Sequence, residues 1–153
     1  MVQSGIKWSY LFSIGLILSL ALTNCASPEG DSPLTVSGSW ARPGPQDSPG
    51  AVYLTITNRG STRDTLTGGE TAACEVLEIH ETVEREDGVM GMQPVEGGIA
   101  VSGGGEIKLE PGGYHLMCIG RTRDFKEGES LLLQLNFKQA GTLDLDVPIR
   151  RPE

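Results

Sequence analysis

The sequence predicts an all-β chain folded as an antiparallel β-sandwich. Three observations carry that expectation. Apolar and polar residues alternate at period two in several short stretches. Turn-forming residues separate those stretches, with 21 glycines and 9 prolines in 153 residues. No long segment keeps a helical apolar period without a glycine interrupting it.

The chain opens with an export signature. Lys7 supplies a positive start, and the run from Leu11 to Leu22 is apolar but too short for a comfortable membrane span. Leu22-Thr23-Asn24-Cys25 follows at once and resembles a bacterial lipobox, in which the cysteine becomes the lipidated first residue. Asn24 departs from it, because a small residue is usual there. Residues 1–25 are therefore expected to be a signal peptide ending at a lipidated Cys25, residues 26–34 a flexible tether, and residues 35–150 one β-domain. That places the domain outside the cytoplasm, anchored to a lipid bilayer.

The strands are legible one by one. Val52, Leu54 and Ile56 alternate with Tyr53, Thr55 and Thr57 before a turn at Asn58-Arg59-Gly60-Ser61. Leu77 and Ile79 alternate with Glu78 and His80, and Ile107 and Leu109 with Glu106, Lys108 and Glu110. Leu131, Leu133, Leu135 and Phe137 form one face of a strand, and Leu143, Leu145, Val147 and Ile149 one face of the next. Gln139-Ala140-Gly141 joins the last two as a hairpin turn. Each strand should bury one face and wet the other, with His80 and the Asp144/Asp146 pair on the polar side.

The net charge is -8, and removing Lys7 with the signal makes the mature chain more acidic. No basic patch is present for a phosphate backbone, so nucleic acid is not expected as a partner. Enzyme chemistry is not expected either. Cys118 and His115 have opposite strand parity, so they do not form a nucleophile–base pair. Gly103-Gly104-Gly105 lacks the lysine and helix of a phosphate loop. Asp144 and Asp146 read as a solvated strand face.

The soft donors are concentrated. Both histidines, and every methionine except Met1, fall between positions 80 and 117. His115 and Met117 are two apart in a strand, so their side chains point the same way. The turn Glu110-Pro111-Gly112-Gly113-Tyr114 would deliver them. His80 reads as the end of its strand. Met92 lies in Gly88-Val89-Met90-Gly91-Met92-Gln93-Pro94, which reads as an irregular segment. Parity does not separate Met92 from Met90, and the alternative assignment puts Met90 at the metal and Met92 in the core. Thioether with imidazole favours Cu(I), whereas a structural zinc site more usually has thiolates. Four such neutral donors leave a bound Cu(I) at +1, which Glu78, Glu81 or Glu84 would moderate. Cys74 and Cys118, in an oxidising compartment, read first as a disulfide; two buried free thiols and copper ligation are the alternatives.

Several blocks together resemble the PCuAC family of periplasmic copper chaperones: Trp40-Ala41-Arg42-Pro43, Ala51 to Asn58, Glu78-Ile79-His80, Gly88 to Met92, and Pro111-Gly112-Gly113-Tyr114-His115-Leu116-Met117. The resemblance implies a cupredoxin-like β-sandwich. It implies one Cu(I) per chain, held by His80, Met92, His115 and Met117, and it favours Met92 over Met90. It also implies a metallochaperone that passes copper to the dinuclear copper centre of cytochrome oxidase or to another copper chaperone, and a monomer is expected. Sequestration without a recipient, and a purely structural β-domain, are the competing readings. Glu81 stands where family members often carry a methionine, and Cys74 and Cys118 stand where apolar residues are commoner. The last residues, Arg150-Arg151-Pro152-Glu153, form no Met/His-rich tail, so a single site is expected.

Overall fold

The computed structural model describes Met1 and residues 33–152. The expected signal peptide with Cys25, and the tether up to residue 32, lie outside the described residues.

Ten strands follow in chain order among the described residues: β1 (Leu34–Ala41), β2 (Gly50–Asn58), β3 (Asp64–Glu70), β4 (Cys74–Glu84), β5 (Met90–Pro94), β6 (Ile99–Val101), β7 (Glu106–Leu109), β8 (Tyr114–Arg121), β9 (Ser130–Phe137) and β10 (Gly141–Pro148). They form a six-stranded sheet, in the order β1-β2-β7-β8-β4-β5, and a four-stranded sheet, β10-β9-β3-β6. Pairing is antiparallel apart from a single parallel contact between β7 and β8 and an isolated parallel bridge from Ala41 to Ile149. β7 and β8 lie end to end along β2, which pairs with both.

The alternation fixes which side each residue takes. Val52, Leu54 and Ile56 of β2, Leu77 and Ile79 of β4, and Leu116 and Cys118 of β8 turn inward. There they join Leu66 of β3, Leu131, Leu133, Leu135 and Phe137 of β9, and Val147 of β10 in one core. Fully burying one such leucine is worth about 1.5–3 kcal/mol. Cys74 and Cys118 are joined by a disulfide, with their Cα atoms 5.5 Å apart, tying β4 to β8 from the inner side. Closing a loop with a sequence separation of 44 removes unfolded-chain entropy worth about 4 kcal/mol in the chain-entropy description.

Strands β1, β3 and β6 go beyond those read from alternation, and two of the three hide their period. β1 carries a bulge between Ser37 and Trp40, where Gly38 takes a φ of 62°. β3 is bulged between Leu66 and Gly68, which breaks its period. The segment around Met92 is a correction. It is a regular strand, β5, paired with β4 in the register Thr82↔Met92 and Glu84↔Met90. Nor does His80 end its strand: β4 runs on to Glu84.

A buried carboxylate fixes the hairpin that closes the small sheet. Asp64 is 5% exposed. It accepts from the backbone N–H of Thr65 at 2.7 Å, Gln139 at 2.9 Å and Ala140 at 2.9 Å. Burial alone would raise its pKa, but the three donors outweigh it and hold the carboxyl below the ordinary 3.8. Its contribution to stability is therefore complete above that ordinary value and is lost as pH falls through the lowered folded one. Asp64→Asn places an amide N–H against a backbone donor, and urea unfolding at neutral pH should show a loss of about 1–3 kcal/mol. An unchanged midpoint would remove Asp64 from the account of this turn.

Candidate metal centre

Residues directly opposite in an antiparallel pair share a face of the sheet. β4 and β8 pair as Val76↔Ile119, Glu78↔Met117 and His80↔His115. β5 adds Met92 opposite Thr82 and Met90 opposite Glu84. β2 brings Ala51 opposite Met117, and hence Tyr53 on the same face. All these side chains leave the inner core and line the outer face of the six-stranded sheet.

The two imidazoles meet there, with ring centroids 6.0 Å apart. Tyr53 lies 6.2 Å from the His115 ring, and Trp40 lies 4.5 Å from Tyr53. Arg42 reaches over Tyr53 and Arg150 over Trp40. This row of rings covers a face expected to be wet. His80 is on the polar side of its strand, as alternation requires, yet only 8% exposed, and His115 is only 3% exposed. Tyr53, Trp40 and Arg42 were absent from the candidate residues. The parity of Tyr53, opposite to its apolar neighbours Val52 and Leu54, was the available signal.

The nitrogen atoms are not equivalent. His115 Nδ1 is 3.2 Å from the Gly113 carbonyl, so it carries the proton and donates, leaving Nε2 with a free lone pair. His80 Nε2 is 3.1 Å from a Glu78 carboxylate oxygen, while its Nδ1 is buried without a partner. Burial pushes the His115 pKa below 6.5, against the raising effect of the Gly113 carbonyl; His80 and Arg42 push the same way as burial. A neutral imidazole is the ligating form.

The thioethers are more open. Met117 is half-buried beside the histidine pair. Met92 is one register step from His80 on the neighbouring strand and is 57% exposed. Met90 lies a step further out and is 58% exposed. Neither methionine of β5 is therefore a core residue. Cys118 is wholly buried on the opposite side of β8 from His115 and Met117. Among the described residues no group of three or more His, Cys, Asp or Glu side chains is gathered for an ion. The soft donors on the same face as the two imidazoles are the thioethers of Met117 and Met92. The buried, unpartnered Nδ1 and the soft neutral donors suit Cu(I).

The chain matches the LpqE-like family over residues 34–149. Lxx21020 of Leifsonia xyli subsp. xyli, named as a lipoprotein, is 29% identical over 100 residues, which is 65% of this chain and 60% of that protein. The match thus spans less than two thirds of that relative. Among solved structures, the copper-bound PCuAC domain from PmoF2 superposes with a TM-score of 0.64 at 20% identity, covering 78% of this chain and 94% of that one. The apo PCuAC domain from PmoF1 gives 0.64 at 22% identity, covering 78% and 95%. The solution structure of CuI-DR1885 from Deinococcus radiodurans gives 0.59 at 24% identity, covering 82% and 85%. At these identities the likeness establishes a shared fold, the PCuAC-type cupredoxin-like sandwich. On the sequence match the chain belongs to the LpqE-like lipoprotein family, and it stands outside the cytoplasm, anchored at a membrane.

Proposed function

We propose that this protein binds one Cu(I) through His80, Met92, His115 and Met117 and passes it to another protein, acting as a carrier rather than an enzyme. The observation that carries the proposal is the cross-strand pair His80↔His115, two buried imidazoles 6.0 Å apart, with Met117 beside them and Met92 one register step away. The copper named in the titles of the PmoF2 and DR1885 structures supports the reading. The β5 register favours Met92 over Met90, which lies further from the histidines.

The arrangement suits release as well as capture. The imidazoles are fixed in the sheet face, whereas Met92 is exposed at the edge strand. An incoming ligand can replace the outer thioether first and the buried nitrogens afterwards. The finer steps of the proposal are lipidation at Cys25, which would hold the domain at the bilayer and raise its effective concentration near a membrane acceptor, and delivery to the dinuclear copper centre of cytochrome oxidase.

Anaerobic competition titration of Cu(I) against single variants tests the donor set. Met92→Ala and Met117→Ala should each weaken binding about tenfold or more, about 1.4 kcal/mol per factor of ten. His115→Ala should also weaken it, but with a folding cost, because His115 is buried. Met90→Ala should keep both affinity and stability, since its side chain has little burial to lose. Unchanged affinity in both Met92→Ala and Met117→Ala would defeat the assignment.

Histidine-resolved NMR of the metal-free protein gives a separate test. Burial holds His115 neutral down to a pH below its ordinary value, so its ring should gain a proton only below 6.5. A His115 ring that titrates at or above that value would contradict the burial of this imidazole. Mixing the loaded protein with the soluble copper-accepting domain of an oxidase subunit should move the metal; tight binding with no transfer would instead indicate sequestration.

A further inference from the structure

Glu78 sits within the donor face. It is two residues before His80 on β4, on the same side, and directly opposite Met117 of β8. Its side chain is 46% exposed, so it forms no part of the core. One carboxylate oxygen lies 3.1 Å from His80 Nε2. No other carboxylate named as a moderator of the site makes this contact. Glu81 accepts from Gln93 Nε2 at 2.8 Å, and its parity sends it to the opposite side of β4. Glu84 pairs with Met90 further out.

The contact decides where the His80 proton resides. With the proton on Nε2, the ring donates to Glu78, and Nδ1 keeps a lone pair in a buried position with no protein partner. With the proton on Nδ1, a buried N–H would have no acceptor, and the Nε2 lone pair would face a carboxylate. The second arrangement loses on both counts. His115 is fixed in the opposite sense by the Gly113 carbonyl at its Nδ1. The two rings therefore keep their free lone pairs on different nitrogens, Nδ1 of His80 and Nε2 of His115.

We propose that Glu78 is a positioning residue for copper binding: its carboxylate holds the His80 proton on Nε2 and thereby assigns His80 Nδ1 and His115 Nε2 as the two nitrogen donors. The inference rests on the copper reading above. A carboxylate behind a ligating imidazole fixes the ring's tautomer and orientation and raises its basicity.

The chain has two histidines, so histidine-selective ¹⁵N labelling of the full chain yields two rings to assign. Without metal, the wild type should show His80 as the Nε2–H tautomer and His115 as the Nδ1–H tautomer. Glu78→Gln keeps an acceptor oxygen and should retain the His80 tautomer, with Cu(I) affinity within about threefold of wild type. Glu78→Ala should lose the single tautomer and about 10- to 100-fold in affinity, with its melting temperature little changed because Glu78 is half-exposed. An Nδ1–H tautomer of His80 in the wild type, or unchanged affinity in Glu78→Ala, would overturn the proposal. Equal losses in the Gln and Ala variants with the tautomer intact in Gln would overturn it too, because charge alone would then explain the effect. Absence of Cu(I) binding in the wild type would instead overturn the copper reading on which it rests, while the tautomers of the apo protein still judge the Glu78 contact by itself.

Discussion

The pairing of β4 with β8 is the constraint on which the rest of the structure depends. One register, His80 opposite His115, serves both sides of the sheet. On the inner side it places Leu77, Ile79, Leu116 and Cys118 in the core. On the outer side it places Glu78, His80, His115 and Met117 together. A slip of one residue would exchange the two sets, burying the polar groups and exposing the apolar ones. The apolar core therefore enforces the donor geometry, although no donor belongs to it. The Cys74–Cys118 disulfide links the same two strands from the core side.

The outer face is graded. At its centre the histidines are shielded beside the Tyr53 and Trp40 rings. Half-buried Met117 lies beside them on β8, and on the edge strand β5 Met92 and Met90 are open to solvent. If the protein carries copper as proposed, shielded nitrogen with open sulfur gives it two properties that otherwise conflict. Each buried imidazole is held by a hydrogen-bonding partner, Glu78 for His80 and the Gly113 carbonyl for His115, so on the proposed reading the nitrogen donors are organised before the ion arrives. The exposed edge leaves a way for a second protein's ligands to enter. Asp64, at the far hairpin, shows the same economy: a buried polar group is tolerated because backbone donors surround it.

Much of this was legible in the sequence where the period of two was clean. β2, β4, β7, β9 and β10 show it, and their inward residues were assigned correctly. β1 and β3 did not, because bulges at Gly38 and Gly68 interrupt the alternation. β5 holds Gly91 and buries little, so its strand character comes from pairing with β4 rather than from its own composition. The common face of His115 and Met117 followed from spacing alone. The burial of His80 did not, because it depends on neighbours distant in sequence, the His115 ring of β8 among them. The contact between Glu78 and His80 lay one step from view. Their shared parity was readable, but the choice of nitrogen required side-chain positions.

The central claim is that this sheet face gathers two imidazoles and two thioethers around one Cu(I). X-ray absorption at the copper edge of the anaerobically loaded full chain measures it most directly. The account predicts Cu(I) with two sulfur and two nitrogen neighbours. A copper environment without sulfur, or one made only of oxygen and nitrogen around Cu(II), would contradict it.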